Sequence, residues 1–354
     1  MTRRLVARLG SLGEVVLAGP AVRAVAASGE PVTFLASSSG APAARLLPGV
    51  ERVLTFDAAW VAFDAPDVDR AAVEALIDEV TRAGIEEAVI LTSFHQSPLP
   101  LALLLRLAGV PHITATSLDY AGRLVDARQP YIDELHEVEQ ALATAGAAGH
   151  RLPQGDDGRL AIQLGLRAVP KRERAASVPY VVVHPGASVH ARALPIDVAA
   201  EIVEQLAARE QHVVVSGTSS ERRLVRRVTG DAPDEFVTAC AGGTDLDQFA
   251  RLLAGAQAVV CGNTGPAHIA AAVGTPIVEA FAPVEPAHRW RPWQVPHVLL
   301  GRLDIECAGC CARRCPLVDQ PCLEPFRADV VLDALDRLTD APAVLATGEG
   351  GASA

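Results

Sequence analysis

A polar turn between two apolar runs carries the residues of this chain that are best suited to chemistry. Residues 258–260 form an apolar run, residues 261–266 form a turn, and a short helical pattern then leads to a second apolar run. This order of strand, turn, helix and strand indicates one βαβ unit of a parallel sheet. Thr264, Gly265 and His268 lie at the predicted helix start, where N–H groups without intrahelical partners bind anions such as phosphate. A tight turn with a capping threonine and a structural histidine is the alternative interpretation.

Two more predicted strand ends in the second half carry side chains suited to a nucleotide. Ser188 and Arg192 follow an apolar run at residues 180–183, and Glu221 follows another at residues 212–215. An arginine neutralises phosphate, and a carboxylate accepts hydrogen bonds from ribose hydroxyls. Because parallel strands end at one edge of their sheet, we expect these side chains to converge on a ligand pocket. Exposed surface charges are the alternative for Arg192 and Glu221.

The first half opens with a glycine-rich turn at residues 10–13, between a predicted strand and a helical pattern at residues 15–27. The turn does not match the G-x-G-x-x-G dinucleotide fingerprint. Glu14 stands at the helix start, where its carboxylate is suited either to accept a proton or to complement the helix dipole. Polar residues also follow a later predicted strand, and His95 and Gln96 among them are candidates for ligand contact.

The elements that must position these residues alternate between strand and helix in both halves of the chain. This alternation predicts an α/β fold with parallel sheets. A loop is expected at residues 120–130, and Arg123 lies in it. A helix is expected at residues 132–143, and its acids are expected to form a solvated face: Asp133, Glu134, Glu137 and Glu139.

Length and composition set the domain organisation and exclude some classes of function. The 354 residues suffice for two domains of about 150 residues each. We predict domains at residues 1–170 and 171–340, a linker within residues 168–177, and a flexible tail at residues 341–354. A net charge of −11 argues against a nucleic-acid partner, which needs a basic face.

The hydropathy pattern predicts neither a transmembrane segment nor a signal peptide. No run of 18 apolar residues without charge occurs in the sequence. The N-terminus starts with basic residues, but Arg8 and Glu14 interrupt its apolar stretch, so it is predicted to be a first strand. A cytoplasmic location follows as the expectation.

Seven cysteines, five of them between Cys307 and Cys322, indicate metal binding or free thiols rather than a disulfide scaffold. Four thiolates would form a tetrahedral structural zinc site: Cys307, Cys310, Cys315 and Cys322. Their spacing does not match a standard knuckle pair. A loop with free thiols or a disulfide staple is therefore the alternative.

Taken together, these motifs resemble glycosyltransferase family 9, the heptosyltransferase family of lipopolysaccharide core synthesis. The resemblance covers residues 4 to about 338 and is carried by three stretches: residues 8–14, residues 184–187 and residues 263–268 with the small residues that follow. It implies the GT-B fold, with two Rossmann-like α/β domains whose parallel sheets face each other across a cleft. It further implies that the acceptor binds mainly to the N-terminal domain and the nucleotide-sugar to the C-terminal one.

The resemblance also implies a role for each matching position. Glu14 takes the place of an aspartate that is the presumed general base. Arg192 takes the place of a lysine that faces the diphosphate, and Glu221 matches the carboxylate that holds the ribose. The remaining donor-binding positions are Ser188, Asn263, Thr264, Gly265 and His268. Acceptor contacts are assigned to Ser11, His95, Gln96 and Arg123.

Two positions depart from the family pattern. Glu14 replaces an aspartate and lengthens the arm by one methylene, whereas Asn263 replaces an aspartate expected to contact the donor sugar and removes its charge. Both substitutions affect the expected identity of the donor sugar more than the expected reaction type.

The resemblance therefore implies an inverting glycosyltransferase that requires no metal ion or other cofactor for catalysis. The expected donor is a nucleotide-sugar, with ADP-heptose first, and the expected acceptor is a glycan, a lipid-linked or a small molecule, with peripheral membrane contact left open. A GT-B nucleotide-sugar epimerase or hydrolase is one alternative, and Asn263 argues against it because epimerases favour carboxylates around the sugar. A catalytically decayed nucleotide-sugar-binding protein is another, and the retained acid Glu14 argues against that.

Overall fold

A computed structural model of the chain describes residues 2–61, 67–165, 178–233 and 235–340. Its contacts divide the chain into two compact units. The first unit comprises Met1–Leu166 with His288–Trp290, and the second comprises Arg167–Ala287 with Arg291–Ala354. The predicted linker at residues 168–177 and the predicted tail at residues 341–354 lie outside the described residues.

Within the described residues, the first unit contains one six-stranded parallel sheet with the strand order β3-β2-β1-β4-β5-β6. The central strand β1 is flanked on both sides, so the residues that follow it lie near the middle of the carboxyl edge. The strands are β1 (Arg4–Arg8), β2 (Val32–Ala36), β3 (Val50–Thr55), β4 (Glu87–Ile90), β5 (His112–Thr116) and β6 (Ala127–Gln129).

The helices of the first unit follow the expected alternation with local departures. The helical pattern at residues 15–27 is two helices rather than one, with Ala18 between them and Pro20 in the first turn of the second, where proline is tolerated. Asp69 caps α4 through a hydrogen bond from Ala71 N–H (2.9 Å). The helices are α1 (Leu12–Leu17), α2 (Gly19–Ala26), α3 (Ala41–Ala44), α4 (Arg70–Ala83), α5 (Leu99–Leu107) and α6 (Glu137–Ala147).

The second unit repeats this architecture, with the strand order β12-β11-β10-β7-β8-β9 in a six-stranded parallel sheet of its described residues. The strands are β7 (Tyr180–His184), β8 (His212–Gly217), β9 (Val237–Ala241), β10 (Ala258–Gly262), β11 (Ile277–Ala280) and β12 (His297–Leu300). The helices in this part of the chain are α7 (Ile196–Ala208), α8 (Arg222–Thr229), α9 (Leu246–Ala254), α10 (Gly265–Val273), α11 (Ala287–Trp290) and α12 (Ala328–Asp340). Of these, α11 belongs to the first unit from His288 onward.

The core of each unit explains why the inner strands read as nearly continuous apolar runs. Every residue of β7, β10 and β11 is buried, as expected for parallel strands covered on both faces. In the second unit, one core cluster joins side chains of the sheet with side chains of α7, such as Ile202, and of α12, such as Leu332. The predicted α/β class with two Rossmann-like parallel sheets is confirmed. Among the described residues, none of the helices combines the length and the apolar character that crossing a membrane requires.

The expected loop at residues 120–130 contains a short strand, β6, which pairs with β5. The helix expected at residues 132–143 begins only at Glu137, because His136 acts as its N-cap and accepts a hydrogen bond from Val138 N–H (3.1 Å). Both differences arise from pairing and capping that apolar periodicity does not report.

Candidate functional site

Glu14 lies in the first turn of α1, three residues after the N-cap Ser11. Its Oε1 accepts hydrogen bonds from the N–H (3.2 Å) and the hydroxyl (3.3 Å) of Ser11. Its Oε2 lies 3.1 Å from Nη2 of Arg8, the last residue of β1. Only 17% of the Glu14 side chain is exposed. The carboxylate is thus held at the carboxyl edge of the sheet by a helix start and a cation together.

Gly10 makes this position of the Glu14 carboxylate possible. A Cβ atom on residue 10 would lie 2.0 Å from Glu14 Oε2, far inside any allowed contact. The glycine after β1 therefore leaves the space in which the longer glutamate side chain folds back over the turn.

A buried ion pair behind Glu14 involves a residue that was expected to be solvated. Arg8 Nη2 donates a hydrogen bond to Glu137 Oε2 (2.9 Å), and Arg8 and Glu137 are 4% and 3% exposed. The prediction that Glu137 lies on a solvated face is wrong, because the buried guanidinium of Arg8 requires this second carboxylate. Asp133, Glu134 and Glu139 are exposed as expected.

The charges around Arg8 outweigh its burial. Burial lowers the pKa of Arg8, but Glu14 and then Glu137 more than offset this and raise it above its ordinary value. Glu137 Oε1 also accepts a hydrogen bond from the Tyr131 hydroxyl (2.9 Å). Burial, followed by the charge of Glu137, raises the pKa of Tyr131 well above its ordinary value. Tyr131 is therefore a neutral hydrogen-bond donor to Glu137.

The network continues to Arg289, in the segment His288–Trp290 of the first unit. Arg289 is 5% exposed and donates to Asp133 Oδ1 (2.6 Å) and to the Tyr131 hydroxyl (3.0 Å). Its guanidinium also lies 4.7 Å from the ring centroid of Phe94. Sequence reasoning missed Arg289, because its partners are more than 150 residues away along the chain.

The predicted acceptor residues differ in their surroundings. His95 is exposed, and its ring contacts that of Phe94 in a tilted arrangement, with 3.4 Å between the ring centroids. Burial, then the charge of Arg289, lowers the pKa of His95. Gln96 lines a small cavity beyond the end of β4, whereas Arg123 is exposed between β5 and β6. Ser11 is the exposed N-cap of α1.

In the second unit, the predicted βαβ turn is confirmed as β10, α10 and β11. Thr264 is the N-cap of α10, and Gly265 and Pro266 open the helix. Thr264 and Gly265 are half-buried, whereas His268 is 5% exposed. Pro266 has no N–H, and Ala267 N–H donates to the Thr264 carbonyl (3.0 Å), so the start of α10 offers an anion the Gly265 N–H and the positive end of the helix dipole.

The side chain of Asn263, just before this helix, is hydrogen-bonded to the backbone of Ala282. Its Nδ2 donates to the carbonyl of Ala282 (3.0 Å), and its Oδ1 accepts from Ala282 N–H (3.3 Å). The residue is 6% exposed. This pair of hydrogen bonds needs an amide, since an ionised aspartate has no donor. The departure from aspartate therefore has a structural reason, namely that it ties the helix start to the segment after β11.

Glu221 lies at the end of β8 in an arrangement that mirrors Glu14. Its Oε2 accepts hydrogen bonds from the N–H (2.7 Å) and hydroxyl (2.8 Å) of Thr218. A Cβ on Gly186 would lie 1.9 Å from Glu221 Oε1, so the glycine after β7 leaves room for this carboxylate. Burial lowers the pKa of the nearby His184 to about 4. The charge of Glu221 opposes this shift.

Arg192 ends the 3₁₀ turn His190–Arg192 and forms an ion pair with Glu285. The side chains are 24% and 16% exposed. A Cβ on Gly262 would lie 1.8 Å from the carbonyl oxygen of Arg192, so the turn rests directly on the end of β10. Ser188, earlier in the same loop, is exposed.

Glu279, in the middle of β11, is fully buried. Neither of its carboxyl oxygens has a hydrogen-bond partner among the described residues. Burial raises its pKa well above the ordinary value, opposed by the charge of Arg192. This acid in the sheet interior is one that the apolar pattern of β11 did not indicate.

The four predicted metal-ligating cysteines line one small cavity, and this group of Cys307, Cys310, Cys315 and Cys322 is called the cavity cysteines below. Burial raises the pKa of Cys322. A hydrogen bond from Gln320 opposes this shift, whereas the charges of Cys315 and Cys307 add to it. No group of three or more His, Cys, Asp or Glu side chains in the described ranges is arranged to hold a metal ion. The structural zinc site stays a prediction.

The structure thus brings together two sets of predicted residues. In the first unit, Glu14 and Ser11 share the turn after β1, with His95 and Gln96 after β4, the neighbouring strand. In the second unit, the ends of β7, β8 and β10 bring the predicted donor residues to one edge of the sheet. These are Ser188, Arg192, Glu221, Asn263, Thr264, Gly265 and His268.

Comparison with known sequences gives a family match over more than half of the chain. Residues 95–319 match the sequence model of the family described as Glycosyltransferase family 9 (heptosyltransferase). Lipopolysaccharide heptosyltransferase 3 of Escherichia coli is 30% identical over 116 residues, which cover 32% of this chain and 34% of that protein. The chain thus spans about a third of the length of this curated relative.

Comparison with solved structures shows a shared fold over nearly the whole chain. The E. coli ADP-heptose lps heptosyltransferase II superposes with a TM-score of 0.72 at 19% identity, covering 96% of this chain and 98% of that one. E. coli heptosyltransferase WaaC with ADP-2-deoxy-2-fluoro heptose gives a TM-score of 0.69 at 18% identity, covering 95% and 99%.

Proposed function

The chain belongs to glycosyltransferase family 9, and we propose that it transfers a heptose, or a related sugar, from ADP-heptose to a hydroxyl group of an acceptor. The similar structures are an ADP-heptose lps heptosyltransferase and a heptosyltransferase with ADP-2-deoxy-2-fluoro heptose, which supports this donor class. The acceptor is a glycan, a lipid-linked or a small molecule in a cytoplasmic reaction. A lipopolysaccharide acceptor is the version of this proposal that the curated relative, a lipopolysaccharide heptosyltransferase, suggests.

The observation that carries the proposal is the set of groups at the carboxyl edge of the second sheet. The backbone of Arg192 packs on Gly262 at the end of β10, three residues before the start of α10, so a cationic side chain and the positive end of a helix dipole start from the same edge of the sheet. A diphosphate gains negative charge as its bond to the sugar breaks, and such fixed positive groups stabilise that charge. Glu221, at the end of β8, offers a carboxylate for ribose hydroxyls. Because the protein supplies this positive charge itself, the proposed transfer requires no metal ion.

Glu14 is the proposed general base for the acceptor hydroxyl. Its Oε2 is buried against Arg8, so an acceptor approaches Oε1, the oxygen that faces Ser11. Arg8 and Ser11 fix the direction of this carboxylate, and a positioned base contributes about 10²–10⁴-fold to turnover. Attack from the side opposite the leaving diphosphate inverts the anomeric centre.

The test is single turnover of ADP-heptose by the Glu14→Gln variant, with acceptor extracts supplying the hydroxyl. Glutamine keeps the shape and the hydrogen bond from Ser11 N–H but cannot take up the proton. We expect turnover to fall by about 10²–10⁴-fold while ADP affinity stays unchanged, and Glu14→Asp should retain part of the activity.

A matched control is Glu87→Gln. The Glu87 side chain lies in the first unit, is also 17% exposed and is paired with Arg4 (2.9 Å). The variant therefore loses a comparable ion pair. Its turnover should match that of the wild type. Near-normal turnover by Glu14→Gln would remove Glu14 from the mechanism. ADP release without any acceptor would instead support the hydrolase or epimerase alternative.

A further inference from the structure

We propose that Glu285 competes with the donor diphosphate for Arg192, so that the carboxylate occupies the arginine in the empty protein and is displaced when the nucleotide binds. The inference rests on the proposed function, because it takes Arg192 as a diphosphate contact. Glu285 was not among the residues predicted from the sequence. Its carboxylate contacts Arg192, the residue proposed to bind the diphosphate.

The backbone around the pair is held from several sides. Asn263 pins Ala282 through two hydrogen bonds, only three residues before Glu285. The N–H of Cys311 donates to the carbonyl of Val284 (2.9 Å). On the other side of the pair, Ala191 N–H donates to the carbonyl of Arg313 (3.0 Å). These hydrogen bonds anchor the backbone on both sides of the pair, so the proposed exchange of partners takes place in the side chains.

Exposure of the pair makes such an exchange feasible. With the side chains 24% and 16% exposed, the ion pair lies between a fully solvated pair, which contributes little, and a buried one, whose separation is costly. An incoming diphosphate carries more negative charge than a single carboxylate and also meets the positive end of the α10 dipole. The diphosphate should therefore displace Glu285 from Arg192. The competing carboxylate lowers the affinity of the protein for the nucleotide.

The competition has a consequence for product release. After transfer, the nucleoside diphosphate must leave, and Glu285 is positioned to recapture Arg192 as it does so. Loss of the Glu285 charge should tighten binding of the diphosphate product and slow its departure. The effect is opposite in sign to the loss of a binding residue, which makes the inference easy to separate from a structural role.

The experiment is calorimetric titration of the full chain with ADP, for the wild type, Glu285→Gln, Glu285→Ala and Arg192→Gln. We expect the two Glu285 variants to bind ADP about 3- to 30-fold more tightly, the range between an exposed and a partly buried pair. Arg192→Gln should bind ADP about 10-fold or more weakly, since it loses a charge-assisted contact. ADP should also become a stronger product inhibitor of the Glu285 variants.

Asp156→Asn is the matched control. Asp156 pairs with Arg23 (2.6 Å) in the first unit, and the two side chains are 17% and 15% exposed. The variant therefore loses a carboxylate charge of similar burial. Its ADP affinity should equal that of the wild type. Unchanged or weaker ADP binding by folded Glu285 variants, with Arg192→Gln still weakened, would overturn the inference and leave the proposed function standing. If Arg192→Gln bound ADP normally, the proposed donor site would fail together with the inference.

Discussion

Replacing Arg8 by methionine should strongly destabilise the first unit, because it removes the cation between two carboxylates. Methionine has a similar length and tolerates burial, so the change acts mainly through charge. Glu14 and Glu137 each contact the same Nη2 atom, at 3.1 and 2.9 Å. Without Arg8 these carboxylates would face each other with no cation between them.

The magnitude follows from this geometry and burial. Two oxygens that contact one nitrogen lie at most about 6 Å apart, and two unit charges at that distance repel by about 3 kcal/mol at an effective dielectric constant of about 20. Removing one member of a buried ion pair costs about 3–5 kcal/mol, and Arg8 is 4% exposed. We therefore expect a loss of about 3–5 kcal/mol.

Native-state hydrogen exchange at the backbone amides of β1 is the suitable assay, since it reports the opening free energy of the first unit alone. In a double-mutant cycle, Glu137→Gln should relieve the repulsion left by Arg8→Met. The double variant should then lose less stability than the two single variants together, by about 1.5 kcal/mol or more. Arg8→Met with opening free energies within 1 kcal/mol of the wild type would refute the idea that Arg8 holds the two acids together.

Three further predictions concern the second unit. Between pH of about 6.5 and 4 an unfolded histidine binds a proton that folded His184, with its pKa of about 4, does not. The opening free energy of β7 should therefore fall by up to about 3 kcal/mol as the pH is lowered, and hydrogen exchange of His184→Asn should lack this slope. Asn263→Asp should lower stability in thermal unfolding by about 2–3 kcal/mol, because it loses the donor to Ala282, and an equally stable variant would contradict that role. If the cavity cysteines bind zinc, metal analysis should find about one ion per chain in the wild type and in the control Cys240→Ser, and metal-free protein of normal stability would leave only free thiols or a disulfide.

The sequence is sufficient to predict the parts of the fold that local patterns determine. The unit β10–α10–β11 follows from two apolar runs around a turn with Thr264, Gly265 and Pro266, whose positions at the helix start are confirmed. Gly10 belongs to the predicted turn after β1, and Gly186 belongs to the stretch 184–187 that carries the family resemblance. What they accommodate, the side chains of Glu14 and Glu221, is visible only in the structure.

The charge pairs could not be predicted, because they join residues far apart in the sequence. Arg8 and Glu137 are 129 residues apart, and Arg192 and Glu285 are 93 residues apart. Apolar periodicity places each residue on an element but does not say which charges meet across elements. A signal was present in Arg8 itself, since an arginine at the end of a buried strand requires a buried carboxylate somewhere in the fold.

The most direct measurement of the central claim is calorimetric titration of the full chain with ADP-heptose, compared with ADP and with a uridine diphosphate sugar. Saturable binding of ADP-heptose is predicted, with about one site per chain, displaced by ADP and weakened about 10-fold or more in Arg192→Gln. The uridine nucleotide should bind more weakly. Folded protein that binds neither ADP-heptose nor ADP at millimolar concentration, or binds both equally well without Arg192, would contradict the proposed donor site.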